Sequence, residues 1–175
     1  MRERLAFMSE QKICCFTGHR IIYENKEKIC YILDVLLDNM ITEGYTVFRA
    51  GGALGFDMLA AEAIIRKKEN GRNVRLELLL PCRDQDSKWN SACKARYKNI
   101  LINADSIEYI SDTYTRECMH IRNRRLVDGS DVCVAYCMRQ KGGTAYTCAY
   151  AEKKGVHIIN LADYLSPNSS TEDNT

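Results

Sequence analysis

Neither sign of charge dominates this 175-residue sequence: 25 lysines and arginines stand against 23 acids, leaving a net charge of +2. A domain that grips nucleic acid is usually more basic, with the charge gathered on one face. The bulk balance therefore demands neither a nucleic-acid nor a membrane partner. No apolar run approaches the length of a membrane span. The opening "MRERLAFMSEQK" holds no apolar stretch long enough for a signal peptide, so the expected location is the cytoplasm. Cys-x-x-Cys pairs are missing although there are nine cysteines, an odd number. Zinc sites need closely spaced paired ligands, and secreted disulfide scaffolds are smaller and loopier. The thiols therefore read as reduced, small hydrophobes in a core, and neither a metal site nor a cofactor is expected. Cys82, beside Pro81, is the remaining candidate for a redox or catalytic thiol. No Gly-x-x-x-x-Gly-Lys-Ser/Thr occurs, which excludes a P-loop nucleotidase. No internal repeat and no linker interrupts the chain, so one domain is expected over 12–165, between an N-terminal extension (1–11) and a polar, disordered tail (166–175, "SPNSSTEDNT" from Ser166).

What is present is alternation. "KICCFTG" is a short apolar run ending in a glycine turn, the pattern of a buried strand. From Asn25 to Thr42, Ile29, Ile32, Leu33, Leu36, Leu37 and Met40 recur at three- and four-residue steps, one face of an amphipathic helix that stops near Gly44. "YTVFRA" is a second strand and Gly55 to Glu69 a second helix. "VRLELLLP" is a third strand closed by Pro81, Trp89 to Leu101 a helix, "SIEYIS" a fourth strand and Thr113 to Val127 a helix. "DVCVAYC" is a fifth strand, Thr144 to Lys154 a helix ended by Gly155, and "VHIIN" the last strand. Such alternation is the signature of a parallel sheet covered on both sides. The chain is too short for eight strand–helix units. The expected fold is a three-layer, Rossmann-like α/β domain with a mainly parallel sheet and helices on both faces.

In an open parallel sheet ligands bind beyond the carboxyl ends of the strands. The loops there are "TGHR" (from Thr17), "AGGALGFD" (from Ala50), "PCRDQD" (from Pro81) and "RQKGGTAYT" (from Arg139). Glycines let backbone N–H groups approach an anion, and the first turn of a helix leaves its N–H groups free with partial positive charge. Thr17 and Gly18, the trio Gly51, Gly52 and Gly55, and the run Gly142, Gly143 and Thr144 are thus phosphate-contact candidates. "GGALGFD" approaches the dinucleotide fingerprint but follows the second strand, which argues against a conventional dehydrogenase. Arg20 is placed to reach an anion or to stay solvated. His19 suits a ribose or phosphate bond, or a structural turn. Asp57 suits a dipole or capping role at a helix start, or a ribose hydroxyl. Arg122 and Arg125 are three apart and share a side of one helix, so one of them can point toward the rim. Trp89 is expected to pack against the sheet.

Taken together, "TGHR", "RAGGALGFDMLAAE", "LPC", "CMHIRNRRLVDGSD" and "GGTAYT" resemble the YpsA family of the SLOG superfamily from about Ile13 to Asn160. The resemblance implies a Rossmann-like fold shared with the DNA-processing protein DprA and the cytokinin-activating LOG enzymes. It also implies a nucleotide or ADP-ribose-like ligand at the glycine-rich loops. LOG enzymes hydrolyse the N-glycosidic bond of nucleoside monophosphates. Against their signature, Met119, His120 and Arg122 match, Asn123 replaces a lysine, and Ser130, Asp131, Gly142, Gly143 and Thr144 match. Their glutamate falls at Thr147 or Ala149, and without a carboxylate that reaction lacks its acid–base group. The leading expectation is a sensor or regulator that binds a small nucleotide-like ligand and acts through a partner or its own homodimer interface. One rival is a LOG-type hydrolase with Arg122 as its catalytic residue. The other is DprA-like binding of single-stranded DNA, disfavoured by the charge and the lack of an aromatic platform.

Overall fold

The computed structural model describes residues 11–165 with the exception of Glu24. The expected N-terminal extension (all but Gln11) and the expected tail lie outside them. Six strands alternate with five helices: β1 Lys12–Gly18, α1 Lys26–Thr42, β2 Tyr45–Ala50, α2 Phe56–Glu69, β3 Arg75–Cys82 and α3 Ser91–Asn103 come first. β4 Ser106–Ser111, α4 Arg116–Val127, β5 Val132–Tyr136, α5 Gly143–Lys153 and β6 His157–Asn160 follow, and a 3-10 turn, Leu161–Tyr164, ends the series. The strands form one sheet in the order β4-β3-β2-β1-β5-β6, and every neighbouring pair is parallel. The three-layer α/β reading of the sequence holds.

Side chains alternate across the sheet as strand geometry requires. Cys14, Phe16, Phe48, Leu76, Leu78 and Val134 enter the larger core beneath α1, α2 and α3. Cys15, Leu79 and Cys133 meet Leu126 and Val127 of α4 and Ala151 of α5 on the other face. The adjacent Cys14 and Cys15 therefore serve opposite layers. All nine cysteines are free thiols, and five of them are buried. Cys82 is one of these; burial and the neighbouring Asp84 push its thiol up to about 12, so it is no nucleophile near neutrality. No helix among the described residues is long and apolar enough to cross a membrane.

Boundaries move where capping chemistry overrides periodicity. Asn90 accepts the Cys93 N–H and starts α3 after Trp89, whose ring packs edge-on against Tyr97 at 5.2 Å in the larger core. β3 runs through Pro81 instead of closing there. Its pairing with β2 ends at Ala50 opposite Leu78 while that with β4 continues to Ser111, and a strand with one neighbour tolerates a missing N–H. α4 begins three residues later than periodicity suggests, because Thr115 accepts the Cys118 N–H at 3.1 Å while Cys118 Sγ accepts the Thr115 N–H. Thr115→Ala is expected to cost about 1 kcal/mol, read as a lower urea midpoint at unchanged m-value.

Candidate functional site

From β1 the chain moves outward through β2, β3 and β4, then crosses back to β5 and β6 on the opposite side of β1. The reversal leaves a crevice beyond the end of β1, the place where doubly wound sheets take ligands. Three loops are knitted together there. The backbone N–H of His19 donates to the Tyr136 carbonyl at 3.2 Å, and its own carbonyl accepts the first N–H of α2, from Phe56, at 3.1 Å. The His19 ring accepts the Met138 N–H on Nε2 at 2.9 Å, which leaves the imidazole proton on Nδ1. Burial, then the nearby Arg139, lowers its pKa, so the ring is neutral near pH 7. Gly55 permits this closure: its φ is +82°, and a Cβ there would strike the carbonyls of His19 and Arg20.

Inside the crevice is a cavity of about 340 Å³. Thr17, Gly18, His19 and Arg20 line it from β1 and its loop, and Ala53 and Asp57 from the entry to α2. Met119, Arg122 and Asn123 line it from α4, and Gly143 and Thr144 from the start of α5. Most of the expected residues therefore converge. Gly51, Gly52, Gly55 and Gly142 do not line the cavity. Gly52 faces Leu80, Gln85 and Tyr97 on the α3 side, and Gly51 lies against the Arg122 guanidinium and the Asp57 carboxylate. Ala53, Met119 and Asn123 are additions. Met119 and Asn123 stand four apart on α4, flanking Arg122, a spacing that helical periodicity could have flagged.

The inward side of α4 carries Cys118, Arg122, Asn123, Leu126 and Val127. Arg125, expected to share that side, instead reaches out to Glu108 of β4 at 2.7 Å. Arg122 is only 4% exposed and Asp57 3%. They pair at 3.4 Å, Nη1 to Oδ2, while Arg122 Nε is buried without any hydrogen-bond partner. The backbone N–H groups of Gly51 and Ala53 also face Asp57 and favour its charged form. Burial outweighs attraction for both groups: it raises the Asp57 carboxyl and lowers the Arg122 guanidinium from their ordinary values.

α5 begins at Gly143 after Gly142, with no side-chain cap on its first N–H groups. Of the two positions where the LOG glutamate would fall, Thr147 is fully buried and donates to the Gly143 carbonyl at 2.8 Å, and Ala149 is exposed. Glu62 is taken by Arg96 at 2.8 Å, and Glu152 is exposed far along α5. Asp57 is thus the one carboxylate among the lining residues. Ser130 and Asp131 stay at the opposite end of the sheet, where Asp131 accepts the Ile13 N–H at 2.7 Å. Tyr146 meets the His120 ring edge-on at 4.8 Å, outside the cavity lining. Among the described residues no cluster of three His, Cys, Asp or Glu is placed to hold a metal ion.

A doubly wound parallel sheet with a polar cavity at its switch point defines a Rossmann-like α/β protein. The family model YpsA, described as the YspA SLOG family, matches residues 14–164, and the chain belongs to that family. A UPF0398 protein of Halalkalibacterium halodurans is 29% identical over 154 residues, covering 82% of each chain. An uncharacterized SPbeta prophage-derived protein of Bacillus subtilis, YoqJ, is 26% identical over 140 residues, 73% of this chain and 80% of that one. Among solved structures, DNA processing protein A of Streptococcus pneumoniae matches with a TM-score of 0.64 at 17% identity, over 90% of this chain and 54% of that one. The Helicobacter pylori protein of the same name, described for its single-stranded DNA binding mode, matches with a TM-score of 0.60 at 19% identity. That match covers 84% of this chain and 63% of the other. At these identities the likeness is one of fold.

Proposed function

We propose that this protein binds a phosphate-bearing, nucleotide-like small molecule in the switch-point cavity and serves as a sensor or regulator. The observation that carries the reading is Arg122. A guanidinium has five N–H donors; this one, 4% exposed, has one carboxylate contact at 3.4 Å and a buried Nε with no partner. Leaving such donors unmet is costly, and an oxyanion would satisfy them. The uncapped start of α5 supplies further N–H groups and favourable dipole charge on the same cavity. Thr17, Gly18, Gly143 and Thr144 would hold the phosphate. Arg20, which is exposed, adds the charge that Asp57 does not offset.

Bond cleavage is less well supported. The single lining carboxylate is already paired with Arg122. Calorimetric titration with AMP is expected to show saturable binding, and Arg20→Ala to weaken it roughly 10–100-fold, the worth of a charge-assisted contact. The absence of heat and of any thermal shift with AMP and inorganic phosphate at millimolar concentration would sink the proposal. Salt-sensitive binding of an oligonucleotide in their place would favour the DprA-like reading.

A further inference from the structure

We infer that the cavity recognises the phosphorylated sugar of its ligand and leaves any base unread. This rests on the phosphate reading above and narrows it. No Phe, Tyr or Trp lines the cavity, whereas a stacking ring is worth about 1–3 kcal/mol per base. The nearby rings are committed elsewhere. Tyr136 is fully buried against Phe56, with ring centroids 5.9 Å apart. Tyr23 receives Arg139 over its face at 4.8 Å, and Tyr146 is turned to His120.

The walls instead carry short hydrogen-bonding groups. Asp57 accepts, His19 donates through Nδ1, and Thr17, Thr144 and Asn123 can do both. Asn123 is buried, and its Nδ2 lies near Gly143 at the start of α5. A carboxylate and a carboxamide close to an anion-binding helix start suit vicinal hydroxyls attached to a phosphate. The charge inventory points the same way. Arg122 is offset by Asp57 at 3.4 Å, leaving Arg20 as the lining cation with no acidic partner among the described residues, enough for one phosphate and short for a pyrophosphate. A volume of about 340 Å³ also sits at the low end of the ~300–1,000 Å³ of small-molecule pockets.

The test is calorimetric titration of the full chain with inorganic phosphate, ribose 5-phosphate, AMP and ADP-ribose. Ribose 5-phosphate is expected to bind at least about tenfold more tightly than inorganic phosphate. AMP and ADP-ribose should improve on it by less than about fivefold, because no Phe, Tyr or Trp of the lining stacks on the base and the His19 ring is held against Tyr23 and Tyr136. AMP binding about fivefold or more tighter than ribose 5-phosphate overturns the inference and leaves the phosphate site standing. So does ribose 5-phosphate that binds no better than inorganic phosphate. If none of the four binds, the phosphate reading falls and the inference with it.

Discussion

Arg122→Ala is expected to cost the unliganded protein about 3–5 kcal/mol, the usual penalty for removing one partner of a buried ion pair. For a domain of this size that lowers the melting temperature by roughly 10 °C. The cause is the carboxylate left behind. Asp57 is 3% exposed, and burial already raises its pKa while Arg122 opposes the rise. Without the guanidinium, burial acts with less opposition and the folded-state pKa climbs further above its unfolded value. Between those two values the folded variant holds a proton that the unfolded chain has lost, so its stability falls as pH rises. The loss should therefore be larger at pH 8 than at pH 5. Adding Asp57→Asn in an Arg122→Met background removes both charges and keeps a side chain of the same size at position 57. Most of the stability should return, since uncharged replacements of similar volume are often neutral or better. Phosphate binding should not return. An Arg122→Ala variant as stable as the parent at pH 8 would show that this pair is not insulated from solvent.

The sequence made the rim legible because strand ends and helix starts leave a chemical trace. Apolar runs end in Thr17-Gly18 and before Gly142-Gly143, and those loops do meet across the end of β1. Which strands flank β1 has no such trace, and the switch point depends on it. The inward turn of Arg122 had a signal that the charge pattern obscured. Cys118 and Leu126 stand four residues to either side of it, marking the buried stripe of α4, whereas Arg125 is off that stripe. The glycines were legible as a class but not one by one. Gly55 serves a loop-to-loop approach, and Gly51 is matched to a side chain from a helix on the opposite face of the sheet. A contact between elements so far apart in the chain is invisible to periodicity. Pro81 misled for a related reason, because its cost depends on whether β2 still runs beside it.

Gly51→Ala tests that matched contact and is expected to remove both stability and ligand binding. The φ of Gly51 is not positive, so alanine brings no backbone strain and the effect is steric. The new Cβ would fall on Arg122 Nη1 and within 2.7 Å of Asp57 Oδ2. Both side chains are about 5% exposed; the new Cβ falls directly on the guanidinium, so the guanidinium is the group that must move. Displaced into the cavity that it lines, it would lengthen the ion pair and occupy the place proposed for the phosphate. Overpacking of this sort costs about 1–3 kcal/mol, and weakening the buried pair adds to it. Urea unfolding should show the lost stability, and phosphate titration a loss of affinity greater than about tenfold. Gly143→Ala is the control for adding a methyl group near the site. Its Cβ would have Asn123 Nδ2 at 3.8 Å, an ordinary contact, so the fold should tolerate it. The decisive comparison places Gly51→Ala in the Asp57→Asn, Arg122→Met background, where the flexible methionine can give way. Most of the penalty should vanish there, a coupling that only groups in direct contact show. A penalty undiminished in that background would mean that Gly51 answers to the loop itself and not to Arg122.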